Sequence, residues 1–157
     1  MTRLLLSRTI QAPAGRLFDL SRSISLHTQT MQHTGERAVA GVCSGLINLH
    51  ETVTWQARHL GKTRKFTSVI SQMNRPFSFT DEMVKGDFKS WKHIHRFEQK
   101  GNGTVMMDDV YYELPYGFAG KMLNSLFLKK YMTRLLEQRN DMLQQIAESA
   151  GWKDFLK

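Results

Sequence analysis

Apolar and polar residues alternate along three consecutive segments in the second half of the chain. These segments span residues 77–85, 88–98 and 103–114, and the short turn sequences KGD and QKGNG separate them. Alternation with a period of two, in segments rich in aromatic and β-branched residues, predicts β-strands. The short turns between the segments predict a three-stranded antiparallel meander.

Pairing the predicted strands through these turns indicates which side chains share a face. In the first hairpin, Met83 opposite Trp91 places Asp81 opposite His93 and Phe79 opposite His95. In the second hairpin, Phe97 opposite Thr104 places His95 opposite Met106, His93 opposite Asp108 and Trp91 opposite Val110. The predicted inner face then carries one polar group, Asp81, His93 and Asp108, among the residues Phe79, Met83, Trp91, Phe97, Met106, Val110 and Tyr112. A shift of one residue in either hairpin would move half of these side chains to the other face.

The first half of the chain adds four strands and two short helices. Apolar patterns predict strands at residues 2–11, 36–40, 46–59 and 64–74. Pro13 precedes a predicted helix over residues 14–20, and Ser21 or Ser23 caps a second helix that ends near residue 32. The LGKT turn joins the last two of these strands, and pairing Ala57 with Phe66 places Trp55 opposite Ser68 and Val53 opposite Ile70.

A long amphipathic helix is predicted over residues 118–150. Its apolar positions form one stripe at helical spacing, so one face of the helix is predicted to be buried. The stripe comprises Leu123, Leu126, Phe127, Tyr131, Leu135, Met142 and Ile146, with Leu136 and Leu143 beside it. At about 1.5 Å per residue such a helix is roughly 45 Å long, which is enough to cross a sheet of six or seven strands.

Composition and charge narrow the range of functions. A length of 157 residues predicts one domain over residues 1–157, and the single cysteine, Cys43, cannot form an internal disulfide. No signal-peptide core begins the chain and no apolar run reaches the roughly 20 residues that span a bilayer, so a cytoplasmic protein is expected.

The net charge of +8 is spread along the chain, with one dense cluster at Arg58, Lys62, Arg64 and Lys65. This cluster is interpreted as a solvated hairpin tip, or else as a surface for a phosphate-bearing ligand or for transient contact with an anionic membrane. The recognition motifs of nucleic-acid-binding proteins are missing, so no nucleic-acid partner is expected.

Four segments of the sequence carry a family resemblance. They are IQAPAGRLFDL at residues 10–20, TWQARHLG at 54–61, RPFSFTDEMVKGDFKSWKHIHRFE at 75–98 and GNGTVMMDDVYYELPYG at 101–117. These segments resemble the START-like superfamily, also called SRPBCC or polyketide cyclase/dehydrase-like, and especially its small bacterial single-domain members, which include coenzyme Q-binding-like proteins. The resemblance implies an α+β helix-grip fold, with a curved antiparallel sheet of about seven strands around a long C-terminal helix and two short helices after the first strand. It also implies a ligand cavity between the sheet and that helix.

The residues and the resemblance together favour binding of a hydrophobic or aromatic small molecule, such as a lipid, a quinone or a polyketide-like compound. The predicted ligand contacts are Trp55, Phe66, Ser68, Phe79, Asp81, Met83, Trp91, His93, His95, Phe97, Met106, Asp108, Val110, Tyr112, Leu123, Phe127 and Tyr131. In this interpretation the aromatic residues supply apolar surface and the polar group orients a ligand oxygen.

Other interpretations of the same residues stay open. The polar group is also typical of a structural hydrogen-bond network, and His93 held by Asp81 or Asp108 is a candidate general base for a cyclase, dehydratase or isomerase. A protein-interaction module with a vestigial cavity is a third alternative. His93 and His95 have a spacing that chelates zinc, with His59 or Asp81 as a further ligand, but no other Cys or His motif accompanies them. The sequence therefore predicts no metal and no cofactor.

Overall fold

The chain forms a seven-stranded antiparallel sheet that curves around a long C-terminal helix, with two short helices after the first strand. The computed structural model describes residues 1–156, apart from the side chain of Ser125. The strands are β1 (Thr2–Ile10), β2 (Arg37–Gly41), β3 (Thr52–His59), β4 (Lys62–Asn74), β5 (Ser78–Lys85), β6 (Ser90–Lys100) and β7 (Gly103–Glu113). The helices are α1 (Ala14–Ser21), α2 (Ile24–Thr30), α3 (Gly117–Leu123) and α4 (Lys129–Glu148), and a π-helical segment (Asn124–Leu128) joins the last two. The predicted helix-grip architecture is confirmed.

The strand order in the sheet is β1-β7-β6-β5-β4-β3-β2, so every hairpin pairs consecutive strands and β1 closes against β7. Helices α1, α2 and α4 cover one face of the sheet, and the main core lies between these layers. Phe18 of α1 is fully buried there and packs edge-on against Phe79 and Phe97, with ring centroids 5.4 Å and 5.7 Å away. Edge-to-face contacts of this kind add to the hydrophobic gain from burying the rings.

The first hairpin of the meander has the predicted register, with Asp81 opposite His93 and Phe79 opposite His95. The second hairpin does not, because Phe97 pairs with Met106 rather than with Thr104. Lys100 and Gly103 close a two-residue loop in which Gly101 has a φ of 59°, whereas the prediction centred the turn one residue earlier. The resulting pairs are His95 with Asp108, His93 with Val110 and Trp91 with Tyr112.

The β3–β4 hairpin differs from its prediction in the same way. Trp55 pairs with Phe66, and Ala57 pairs with Arg64 rather than with Phe66. Leu60 and Gly61 form a two-residue loop with φ values of 54° and 77°, as a type I′ turn requires. Both errors amount to two residues, and a strand repeats its orientation every two residues, so each side chain keeps its predicted face.

Strand β3 is shorter than the predicted strand over residues 46–59, because it begins at Thr52. Residues 46–51 form a loop in which His50 has a φ of 67°, incompatible with extended backbone. The loop is anchored to the start of α2 instead, through a bridge between Leu46 and Ser23.

The apolar stripe of the C-terminal helix is buried over only part of its length. In α4, Leu135, Leu136 and Leu143 are buried as predicted. In the preceding α3 and π-helical segments, Leu123, Leu126 and Phe127 are exposed, so the prediction of one continuous buried face is wrong. The reason is that α4 packs on β1, α1 and α2, whereas α3 contacts mainly the π-helical segment. Within residues 1–156, no helix combines the length and the apolar character needed to cross a bilayer.

Candidate functional site

A cavity of about 850 Å³ lies between the inner face of the sheet and the C-terminal helix. Its walls come from β3 to β6, from α2 and from the segment that runs from Leu114 to Arg139. The mouth lies between the β3–β4 turn, the β5–β6 turn and the start of α3, where Leu60, Asp87 and Tyr116 are exposed. The interior end lies against the centre of the sheet, where His93 and His95 are buried.

The structure places many of the predicted ligand contacts on this cavity wall. Those lining the cavity are Trp55, Phe66, Ser68, Phe79, Asp81, Trp91, His93, His95, Leu123 and Tyr131. The others lie elsewhere. Phe97 and Met106 lie in the main core, Val110 and Tyr112 in a second core cluster, and Asp108 behind the histidines. Met83 lies near the end of β5 with its sulfur beside Gly86, and Phe127 lies on the exposed side of the π-helical segment. Ligand contact by the lining residues stays a prediction.

Four polar residues meet at the interior end and are called the deep cluster: Asp81, His93, His95 and Asp108. His93 and His95 lie two residues apart on β6, so both rings point to the inner face of the sheet. Their ring centroids are 3.7 Å apart. Asp108 Oδ1 accepts a hydrogen bond from His93 Nε2, at 2.7 Å, and lies 3.1 Å from His95 Nδ1. Asp81 Oδ2 lies on the cavity side, hydrogen-bonded to His95 Nε2 at 3.0 Å and 3.8 Å from His93 Nδ1. The two rings are therefore held between two carboxylates.

Two residues of α4 support the deep cluster from behind. Asn140 donates a hydrogen bond of 2.6 Å to Asp108 Oδ2, and Arg139 lies 3.7 Å from Asp108 Oδ1 while it donates to Asn140 Oδ1. Both side chains are buried. Neither was predicted from the sequence, although a signal exists: Arg139 and Asn140 fall one helical turn after Leu135 and Leu136, on the stripe that is otherwise apolar. Polar residues on a buried stripe require partners in the core.

The contacts within the deep cluster set the direction of its pKa shifts. Burial alone would raise the pKa of Asp108, but hydrogen bonds from His93 and His95 outweigh burial and hold that pKa well below its usual range. Burial, followed by the neighbouring His95, lowers the pKa of His93. Burial acts the same way on His95, yet its contacts with Asp108 and Asp81 outweigh burial and raise its pKa. The pKa values of the two histidines are therefore shifted in opposite directions.

A second group of similar composition, here called the rim cluster, comprises His27, Glu36 and His59 nearer the mouth. Glu36 Oε1 lies 2.5 Å from His27 Nε2, and Glu36 Oε2 lies 3.9 Å from His59 Nε2. The hydroxyl of Tyr131 contacts His59 Nδ1 at 2.9 Å. Burial would raise the pKa of Glu36, but the two histidines outweigh burial and lower it to about 2. Of this group, only His59 was considered from the sequence.

The surface beside the mouth is unusually apolar. Tyr116, Phe118 and Leu126 are 84%, 82% and 77% exposed, respectively. Three exposed lysines lie nearby. Lys121 is close to these residues in the chain, and Lys62 and Lys65 line the cavity at its mouth. Exposed apolar patches of this kind commonly mark a surface that binds a protein, a membrane or a ligand.

Comparison with solved structures identifies the architecture. A crystal structure of the protein TTHA0849 from Thermus thermophilus is similar, with a TM-score of 0.74 and 19% identity over 92% of this chain and 95% of that one. A START superfamily protein from Mycobacterium smegmatis has a TM-score of 0.68 and 13% identity over 93% and 97% of the two chains. A ginseng major latex-like protein 151 from Panax ginseng has a TM-score of 0.69 and 15% identity over the same shares. No protein-family model matches this sequence, and neither does any curated protein sequence. The chain has the START-like helix-grip fold that its sequence predicts.

Proposed function

We propose that this protein binds a hydrophobic or aromatic small molecule, such as a lipid, a quinone or a polyketide-like compound, in the cavity between the sheet and the C-terminal helix. The observation that carries this proposal is the cavity itself, whose volume of about 850 Å³ lies within the range of small-molecule sites. Its walls are mainly aromatic and aliphatic in the middle, and its polar groups are concentrated at the interior end, in the rim cluster and at the mouth. The START superfamily name of one structural neighbour agrees with this function.

The distribution of polar groups favours one orientation of the ligand. Trp55, Phe66 and Trp91 supply flat apolar surface in the middle of the cavity, and Phe66 packs edge-on against Trp91 at 5.8 Å. A ligand oxygen at the interior end would meet Asp81 and His95. Ser21 also lines the cavity, and its buried hydroxyl has no hydrogen-bond partner among the described residues. The apolar part of the ligand would extend toward the mouth.

A cavity-filling substitution tests this proposal. Ser68 is buried on β4 and lines the cavity, whereas its neighbour Val69 faces the other side of the sheet. We expect Ser68→Phe to occupy the ligand space and to lower the affinity for a hydrophobic fluorescent probe at least tenfold, with the fold retained. Val69→Phe is the matched control and should leave probe binding unchanged. Native mass spectrometry of protein purified from its host would identify the bound molecule.

Equal probe binding by the two variants would contradict the proposal, because the probe would then bind outside the cavity. If the cavity bound no small molecule and a protein partner co-purified in stoichiometric amount, the two results would instead support the interaction-module alternative.

Acid–base catalysis is the second candidate function, and the opposed pKa shifts of His93 and His95 favour it. Asp81 connects these histidines to the cavity. His93→Gln separates the two functions, because turnover of a bound substrate would be lost while binding persists if the histidine acts as a general base. Unchanged turnover in the folded variant would exclude this role.

We also propose that the protein is cytoplasmic and that the apolar surface beside the mouth contacts an anionic membrane. A hydrophobic ligand would enter the cavity from that membrane. The exposed side chains of Phe118 and Leu126, with the lysines around the mouth, support this contact. Leu126→Ser should reduce co-sedimentation with vesicles that contain phosphatidylglycerol, whereas Leu5→Ser, an exposed leucine on β1, should not. Equal effects of the two substitutions would contradict this surface assignment.

A further inference from the structure

Three potential metal-ligand atoms converge at the interior end of the cavity. One atom from each of Asp81, His93 and His95 lies within 4.8 Å of the other two. Asp81 Oδ2 is 3.0 Å from His95 Nε2 and 3.8 Å from His93 Nδ1. A divalent metal about 2.1 Å from each ligand sets its ligands roughly 3.0–3.4 Å apart, so the two observed distances bracket the required spacing.

The strands fix the positions of these three side chains before any ion binds. His93 and His95 lie two residues apart on β6, and Asp81 is the cross-strand partner of His93 on β5. The ring of His95 stacks on Phe79, with centroids 4.2 Å apart and planes 19° apart, and Trp91 packs edge-on against His93 at 6.5 Å. Sites on packed strands hold ligands more precisely than sites on loops.

Asp108 supplies the outer contact that metal-binding histidines commonly have. It accepts a hydrogen bond from His93 Nε2 and lies 3.1 Å from His95 Nδ1, and its second oxygen accepts a hydrogen bond from Asn140. A carboxylate behind a histidine fixes the ring orientation and leaves the opposite nitrogen with a lone pair for the metal. The opposite nitrogens here are His93 Nδ1 and His95 Nε2, the two atoms that face Asp81.

A metal ion at this position would replace one hydrogen bond of the deep cluster. In the structure His95 Nε2 is hydrogen-bonded to Asp81 Oδ2 at 3.0 Å, and an ion bound by these two atoms would take the place of the proton between them. Asp81 and Asp108 carry two negative charges against the single positive charge of Arg139, so the site accommodates added positive charge.

We propose that Asp81, His93 and His95 form a binding site for one first-row divalent metal ion, although the sequence alone predicts none. Imidazole and carboxylate ligands suit Zn²⁺, Co²⁺, Ni²⁺ and Fe²⁺. All three ligands line the cavity, so the remaining coordination positions of the ion face the cavity and are available to water or to a ligand oxygen. Metal binding itself does not depend on the proposed hydrophobic ligand.

Metal titration of tag-free protein, first treated with a chelator, tests this site. We expect Zn²⁺ to bind with a stoichiometry of one in calorimetry and by elemental analysis after desalting. Co²⁺ should give visible absorption bands typical of low coordination number, which Zn²⁺ displaces. Asp81→Asn, which changes a partly exposed carboxylate on the cavity wall, should weaken Zn²⁺ binding at least a hundredfold, and His93→Gln should abolish the Co²⁺ bands.

His59→Gln is the matched control, because His59 lines the same cavity in the rim cluster, and it should bind Zn²⁺ as the unmodified protein does. Circular dichroism shows whether each variant is folded. If His93→Gln is unfolded, the Asp81→Asn variant alone tests the metal site. Absence of stoichiometric Zn²⁺ binding by the unmodified protein would overturn the proposal. Equal loss in the His59→Gln and Asp81→Asn variants would overturn it as well.

Discussion

The deep cluster and the rim cluster each place two histidines beside a carboxylate on the wall of one cavity, but their surroundings differ. In the rim cluster, Glu36 lies between His27 and His59 and contacts both of them. The side chains come from α2, from the residue before β2 and from the end of β3, and the outer nitrogen of His59 contacts the hydroxyl of Tyr131. Glu36 therefore contacts both histidines of the rim cluster, and Tyr131 contacts His59 from outside it.

The deep cluster has carboxylates on both sides of its histidines. Asp108 takes one nitrogen of each ring and directs the other nitrogen of each toward Asp81. The side chains of His93, His95 and Asp108 are 8%, 6% and 1% exposed, whereas those of His27 and His59 are 27% and 23% exposed. Both clusters contain two histidines and a carboxylate, so this shared set does not distinguish them. The second carboxylate of the deep cluster and the greater burial of its histidines do. Substitutions at the carboxylates therefore give the most direct tests of the comparison.

The largest expected effect follows from Asp108→Asn. The substitution removes the buried negative charge that lies beside Arg139, His93 and His95. Removing one partner of a buried charged network costs about 3–5 kcal/mol of unfolding free energy. Urea denaturation at neutral pH measures this cost. Asp141→Asn is the control, because the side chain of Asp141 is 63% exposed in its ion pair with Arg8, and the expected loss is below about 1 kcal/mol.

Glu36→Gln at the same pH should cost less than Asp108→Asn, since the rim cluster is partly exposed and contains no buried arginine among the described residues. If both substitutions destabilised the protein equally, the distinction between a sealed cluster and an open one would be wrong.

The second prediction concerns acid. The folded-state pKa of Glu36 is about 2, below its ordinary value of 4.5, because the two histidines outweigh the effect of burial. A lowered carboxyl pKa contributes stability that is fully present above about pH 4.5 and is lost as the pH falls toward 2. We expect the unmodified protein to lose about 2–3 kcal/mol more than Glu36→Gln over this interval. Parallel stability curves for the two proteins in acid urea titrations would contradict the role assigned to Glu36.

The sequence predicts more of the deep cluster than of the rim cluster, because most of the deep cluster comes from consecutive strands. Asp81, His93 and Asp108 lie on adjacent strands of one meander, where alternation and short turns determine the shared face. A register error of two residues in the second hairpin therefore left all three on the inner face. The residue that changed role is His95, which pairs with Asp108 rather than with Met106.

The remaining contributors were beyond the reach of local patterns. Arg139 and Asn140 approach from α4, and the rim cluster combines residues from three separate elements. Helical periodicity indicates which residues of α4 face the core, but it does not determine which strand residue each one meets. The exposure of Leu126 and Phe127 depends likewise on where the C-terminal helix leaves the sheet, a tertiary property that the apolar stripe cannot reveal.

The smallest expected effect tests whether the two clusters act independently. Tyr131→Phe removes the hydroxyl that contacts His59 Nδ1 and leaves the aromatic ring, which is stacked with Phe127. Loss of one partly buried hydrogen bond should cost about 0.5–1.5 kcal/mol. In NMR spectra of the imidazole nitrogens, the His59 resonances should shift, and those of His93 and His95 should stay in place because no contact of Tyr131 reaches the deep cluster among the described residues. Comparable shifts at His95 and His59 would show that the clusters are coupled through the cavity, and the two would then have to be treated as one site.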